Sequence, residues 1–249
     1  MTTFVLVHGA FHGGWCWSRV ARLLRARGHE VSTPTLAGMG EHAHLLTRQI
    51  TLDTHVEDIV SHIETEELAD VVLVGHSYGG LIITGAADRL DGRGLLRHLV
   101  YLDALVPGDG DLWSRFNTEE AAAARHASAK KGGGLFMPPP GAAMFGVVEP
   151  ADLDWVNRRL RPHPYATYLY PLSLPALAAG RGAAALPRTY IDCTTPFYSD
   201  FNGLKQRLRA ETTWQYLELA TGHDAMVSAP RELADMLERV GGRAGERAD

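Results

Sequence analysis

The chain has 249 residues, 45% of them hydrophobic, enough to bury a large core in one α/β domain with an inserted lid. Its formal net charge is −5 with acidic and basic residues interspersed. There is neither a basic stripe nor a long acidic block, which excludes DNA- and RNA-binding functions.

Cys16 and Cys193 are too few for a disulfide framework and neither sits in a CxxC pair, so they read as small buried hydrophobes of a reducing compartment. No apolar run approaches the roughly 20 residues of a membrane span. No charged start and apolar region of a signal peptide precedes "TTFVLVHG". The expectation is a soluble, cytoplasmic protein with no membrane partner; a homodimer is compatible with it.

"FVLVHG" (4–9) is a short apolar strand. "GWCWSRVARLLRARG" (14–28) has helical spacing, with Trp17, Val20, Leu23 and Leu24 on one face and Gly28 placed to end it. "HEVSTPTL" (29–36) is a second strand, and "AGMGEHAH" a loop. "LDTHVEDIVSHIETE" (52–66) is a helix that presents Val56, Ile59, Val60 and Ile63 on one side. "VVLVG" (71–75) is the third strand, "GGLIITGAADRL" (79–90) the third helix and "HLVYLDALVP" (98–107) the fourth strand. Strands alternating with helices predict an α/β fold, a mostly parallel sheet with helices on both faces. Unbroken runs such as "FVLV" and "VVLV" fit strands buried on both sides.

The rhythm then breaks. Residues 108–186 contain "AAAARHASAKKGGG", "FMPPPGAAMFG" and "ADLDWVNRRL", which read as short helices and linkers with no clear strand. Alternation returns with the strand "RTYIDCT" (188–194), a helix near 200–210, the strand "TWQYLELA" (213–220) and the helix "PRELADMLERV" (230–240); the tail after it is expected to fray. The chain therefore divides into a core, 1–107 and 187–249, and a cap, 108–186, inserted over the C-terminal edge of the sheet. Open α/β sheets bind ligands at that edge.

The chemistry centres on "GHSYG" (75–79), a G-x-S-x-G between a strand and a helix. Such a turn forces Ser77 into a strained backbone conformation, and glycines at 75 and 79 avoid collisions with neighbouring backbone. It lifts Oγ above the sheet, where the following helix N-terminus favours developing negative charge. "ATGHDAMVSAP" puts His223 between the last strand and the last helix, placed to serve as the base. "HGAFHGG" (8–14) follows the first strand; the N–H of Ala10, paired with that of Tyr78, is the candidate oxyanion hole. His76 inside the elbow is read as structural. His42 and His44 lack a carboxylate or third histidine at convincing spacing, so no metal is expected.

Together these residues resemble the α/β-hydrolase superfamily. "FVLVHGAFHGGWCW", "GHSYGG" and "GHDAMVSAP" look like the group of plant methyl-ester hydrolases, plant hydroxynitrile lyases and bacterial pyrethroid-type carboxylesterases. The likeness spans nearly the whole chain and is weakest at about 108–186. It implies a Ser–His–acid triad, no metal and no organic cofactor. Lyases with this elbow carry a threonine after the first-strand histidine and a lysine beside the catalytic histidine. Here those positions are Gly9 and Asp224, and an aspartate opposes the accommodation of leaving cyanide.

The acid departs from the family pattern. An aspartate is expected shortly after the cysteine of the penultimate strand, where this chain has Thr194, Thr195 and Pro196. Three carboxylates are alternatives. Asp103, at the end of the strand that follows the nucleophile strand, is preferred because some α/β-hydrolases are similar in taking their acid there, and Ser77, Asp103, His223 keeps the chain order of the fold. Asp192 falls inside a strand, and Asp200 needs an unusual loop path.

The resulting expectation is a serine carboxylesterase acting through an acyl-enzyme. Aromatic and methionine side chains of the cap suggest a small-molecule ester with apolar or aromatic groups, with Phe11, Trp113, Phe136 and Tyr168 as candidate substrate contacts. The alternatives are a hydroxynitrile lyase and a non-hydrolysing small-molecule receptor on the same fold. Dehalogenases and epoxide hydrolases carry aspartate where Ser77 sits and are set aside.

Overall fold

The unbroken apolar runs become the centre of the molecule. In the computed structural model, which describes residues 1–196, 198–199 and 201–243, eight strands are present: β1 (Thr3–Val7), β2 (Glu30–Ser32), β3 (Val71–His76), β4 (Leu96–Leu102), β5 (Phe136–Met137), β6 (His163–Pro164), β7 (Arg188–Cys193) and β8 (Gln215–Leu219). Six of them form a parallel sheet in the order β2-β1-β3-β4-β7-β8. Phe4–Val7 of β1 and Val71–Val74 of β3 have no exposed surface, as strands covered on both faces require.

The helices are α1 (Ser18–Ala26), α2 (Leu52–Thr65), α3 (Gly79–Arg89), α4 (Glu119–Lys131), α5 (Pro150–Asn157), α6 (Pro175–Ala178), α7 (Leu204–Ala210), α8 (Ala225–Ser228) and α9 (Pro230–Arg243). α2 begins at a Thr51/Thr54 capping box and buries Val56, Ile59, Val60 and Ile63, the face its spacing predicts. α3 is buried along nearly its whole length, Gly79 to Asp88, which explains a composition apolar all round. None of the described helices is long and apolar enough to cross a membrane.

Several elements differ from expectation. The second strand is confined to Glu30–Ser32; Pro34, without an N–H, cannot extend the ladder. The fourth strand stops at Leu102 rather than 107, because Asp103 turns into the left-handed region with φ 43°. Residues 108–186 hold a short antiparallel ladder, Phe136–Met137 with His163–Pro164, too brief to show any alternation in sequence. The last helix runs on to Arg243.

Register places the site. Val7 pairs with Gly75, His76 with Leu102, Leu102 with Ile191 and Cys193 with Leu219. The strands therefore end at one edge, and the segments that leave it carry Ala10, Ser77, Asp103 and His223. Residues 103–187 lead from β4 to its neighbour β7 and return over this edge: Arg161 N–H donates to the Phe11 carbonyl at 2.9 Å and Asp224 N–H to the Phe145 carbonyl at 3.0 Å.

Candidate active site

Ser77 sits in the turn between β3 and α3 with φ 54°, a conformation that costs a non-glycine residue about 1–3 kcal/mol. Neighbouring chain holds it there. Ser77 N–H donates to the Leu102 carbonyl at 3.1 Å, and the Ser77 carbonyl accepts from Leu105 at 3.0 Å and Gly80 at 3.1 Å. A Cβ at Gly75 would lie 2.6 Å from the Gly79 carbonyl oxygen, and one at Gly79 would lie 2.9 Å from that of Val7. Gly80 is tighter still: a Cβ there would lie 2.0 Å from the Leu105 carbonyl oxygen.

His223 follows β8, and its Nδ1–H donates to Asp103 Oδ2 at 2.6 Å. Asp103 is fully buried at the end of β4; its N–H donates to the Ile191 carbonyl at 2.8 Å. Its other oxygen, Oδ1, faces the Lys205 ammonium at 2.6 Å and the Cys193 N–H at 3.4 Å. Asp192 lies within β7 and turns elsewhere, accepting from the Tyr216 hydroxyl at 2.7 Å and pairing with Lys205 at 2.7 Å. Asp200 lies outside the described residues. Among the described residues, Asp103 is the carboxylate in contact with the His223 imidazole.

The imidazole is fixed from several sides. Tyr198 stacks on it at 3.9 Å between centroids with a 16° tilt. His76 Nε2–H donates to the His223 carbonyl at 3.0 Å, which gives the elbow histidine a structural task. Tyr78, the residue after the serine, is held by its hydroxyl 3.0 Å from His55 Nδ1, while His55 Nε2–H donates to the Ala37 carbonyl at 2.9 Å. Burial pushes His55 down to about 4, so it stays neutral. Neither the Ala10 nor the Tyr78 N–H donates to another backbone carbonyl among the described residues.

A second carboxylate, Asp224, follows His223 in the chain. Asp224 is fully buried, and its Oδ2 accepts from His12 Nε2–H at 3.0 Å, while His12 Nδ1–H donates to the Ala10 carbonyl at 2.8 Å. Burial disfavours the charge on His12, but Asp224 outweighs it and raises the imidazole above its ordinary 6.5. Burial likewise disfavours charge on Asp224, but His12, His76 and His223 together hold its carboxyl below its ordinary 3.8.

Ser77 and His223 open into one cavity of about 330 Å³. Phe11, Trp113 and Tyr168 line it, with Trp113 and Tyr168 stacked at 4.4 Å. Phe136 is not among its lining residues. Its ring and carbonyl lie against Gly132 at the end of α4, because β5 pairs with β6 there and directs the chain away from the cavity.

Comparison with known proteins matches residues 4–236 to the family model described as the alpha/beta hydrolase family. The chain belongs to that family. This α/β-hydrolase is similar to a carbendazim hydrolyzing esterase of Nocardioides sp. (strain SG-4G), 45% identical over 97% of this chain and 100% of the relative. It is also similar to an alpha-hydroxynitrile lyase of Arabidopsis thaliana, 35% identical over 42% of this chain and 40% of that protein. Among solved structures it shares its fold with an extracellular alpha/beta-hydrolase from a Paenibacillus species, at a TM-score of 0.84 with 22% identity over 97% of this chain and 99% of that one.

Some residues at the hydrolase site escape a reading by motif. Gly80 is signalled only by the doubled glycine of "GHSYGG". Lys205 lies on α7, where its charge looks like any other on a solvated helix face. Tyr198, Phe145 and Arg125 also line the cavity, from segments without periodicity. Arg125 packs over the Trp113 ring at 5.4 Å.

Proposed function

We propose that this α/β-hydrolase, a carboxylic ester hydrolase, works through Ser77, His223 and Asp103 on small esters with apolar or aromatic groups. The contact that carries the assignment is His223 Nδ1–H to Asp103 Oδ2 at 2.6 Å, on a histidine that shares its cavity with Ser77. With Nδ1 protonated and bonded to the carboxylate, Nε2 is the nitrogen left to accept a proton. His223 takes the Ser77 proton as Oγ attacks the ester carbonyl. The oxyanion settles on the N–H groups of Ala10 and Tyr78 at the start of α3. The imidazolium then protonates the leaving alcohol, and water activated by the same histidine releases the acid. Residues 108–186 act as the cap that supplies Trp113 and Tyr168 to the substrate.

Two observations favour hydrolysis over cyanohydrin cleavage. Asp224 puts a buried carboxylate where the lyases carry a lysine, and the neighbouring His12 cation is already paired with it at 3.0 Å rather than free to receive cyanide. A Cβ at Gly9 would lie 3.0 Å from the Ser77 Cβ and 2.9 Å from His76 Nδ1, so the site has no room for a threonine side chain there. The reading as a non-hydrolysing receptor draws on the lack of an acid after Cys193, and the contact of Asp103 with His223 supports hydrolysis instead.

A p-nitrophenyl ester and carbendazim, the compound named for the Nocardioides relative, are the substrates to assay. A fluorophosphonate probe is expected to modify Ser77. Ser77→Ala is expected to abolish turnover, and Asp103→Asn to lower kcat by about 10⁴. Full activity in Ser77→Ala would remove the nucleophile from this assignment, and cyanide release from mandelonitrile would restore the lyase.

A further inference from the structure

Asp103 has two carboxylate oxygens, and His223 uses one. The second lies 2.6 Å from Lys205 Nζ, and the same ammonium lies 2.7 Å from Asp192 Oδ1. Three separate elements converge here: α7 brings Lys205, β7 brings Asp192, and the end of β4 brings Asp103. All three side chains are buried, Lys205 with only 5% exposed. An ammonium out of water is tolerated only when anions pair with it. Burial favours the neutral amine, but Asp103 and Asp192 outweigh it and hold Lys205 charged above its ordinary range.

We propose that Lys205 and Asp192 are positioning residues for the hydrolase: Lys205 fixes the Asp103 carboxylate for His223, and its charge, offset by Asp192, sets how readily His223 takes a proton. This rests on the triad proposed above. The geometric need is plain. Asp103 has a left-handed backbone, and the Cys193 N–H reaches its Oδ1 only at 3.4 Å, so Lys205 is the close partner that stops the carboxylate from rotating.

The electrostatic role follows from the order of charges. His223, Asp103, Lys205 and Asp192 form a line in which the sign alternates once His223 is protonated. The ammonium on the far side of Asp103 opposes a second cation on the imidazole, and Asp192 partly cancels that opposition. Among the described residues, Lys205 also faces the Phe201 ring at 5.5 Å and the Cys193 thiol, which burial pushes up so that it carries no charge; the Tyr190 hydroxyl, likewise pushed up by burial, faces Asp103 and Asp192. Asp192 also meets the Tyr216 hydroxyl and, from the exposed side, Arg209 at 3.6 Å. Among the described residues, His76, Tyr198 and Asp224 also act on His223, the last already paired with His12.

The test is the pH dependence of kcat/KM for a p-nitrophenyl ester in the full-length enzyme, whose acidic limb reports protonation of the base. Lys205→Met is expected to move the acidic midpoint to higher pH and to lower kcat about ten-fold or more. Asp192→Asn is expected to move it the opposite way, to lower pH. Lys205→Arg is expected to return the midpoint toward that of the unaltered enzyme. A purely structural role would lower activity without opposite displacements. If both midpoints coincide with the unaltered one in variants that melt as folded proteins, the proposal is wrong. Should Lys205→Met fail to fold, the Asp192→Asn displacement decides alone. Ser77 labelling separates the two layers: labelled Ser77 with unmoved midpoints overturns only this inference, whereas unlabelled Ser77 overturns the triad.

Discussion

His8 and His12 lie on one loop, both buried, and carry opposite proton loads. His8 Nδ1–H donates to the Gly9 carbonyl at 2.8 Å and its Nε2 accepts from Leu36 N–H at 3.1 Å, a neutral arrangement, and burial pushes it down to about 3. His12 has acceptors at both ring nitrogens, the Ala10 carbonyl and the Asp224 carboxylate, and so holds both protons. Through Ala10 and Asp224, His12 ties the loop after β1 to the segment that carries His223. Its pH window follows from the two directions of shift. His12, raised above 6.5 in the fold, contributes stability that is complete below 6.5 and lost as pH rises through its raised value. Asp224, held below 3.8, contributes stability that is complete above 3.8 and lost as pH falls through its lowered value. Asp224→Asn is therefore expected to cost about 3 kcal/mol in mildly acidic solution, with the gap narrowing as pH rises into the alkaline range. Urea unfolding of both proteins across that range measures it, and a gap independent of pH would exclude a charged pair. Nothing in "HGAFHGG" distinguishes these two histidines, because their protonation is decided by partners at positions 36 and 224.

At the level of elements, the sheet edge works because glycines let backbone meet backbone. Gly80 allows α3 to start against the Leu105 carbonyl, and Gly222 lies against Gly146, where a Cβ would come within 2.5 Å of the Gly146 oxygen. The second contact seats the 142–146 turn on the segment that carries His223. Gly80→Ala cannot be relieved by a side-chain rotation, since the obstacle is backbone. It is expected to destabilise the fold by about 2–3 kcal/mol in denaturant titration and to lower kcat as Ser77 shifts. A variant as stable and active as the parent would show that α3 can slide. The strands and helices around this edge were legible in sequence, because apolar runs and 3.6-residue spacing are local signals. Their ends were less so. β4 stops at Leu102 through a left-handed Asp103, a choice made by hydrogen bonds to β7 and not by any turn residue.

Across the whole molecule, the cavity is built from both sides of the sheet edge. Ser77 and His223 form its floor, and Trp113 and Tyr168, from the connection between β4 and β7, form an aromatic wall with Arg125 over it. Trp113→Ala is expected to raise KM about ten-fold for an aromatic ester and much less for an acetate ester of the same alcohol. Equal effects on both would assign Trp113 to holding residues 108–186 in place instead. The composition of residues 108–186 announces aromatics but not which of them turn inward. Phe136 and Trp113 look alike in sequence, and only the packing sends one against Gly132 and the other into the cavity.

The sequence by itself determined the parallel α/β architecture, the elbow at Ser77 and the downstream histidine, because each depends on short-range pattern: apolar runs, glycine flanks and position relative to a strand end. It left the carboxylate open among Asp103, Asp192 and Asp200. The tertiary structure joined Asp103 to His223 and turned Asp192 toward Lys205 and Tyr216. Those partnerships bring together residues far apart in the chain, and such distances are closed by strand register and sheet order rather than by any motif.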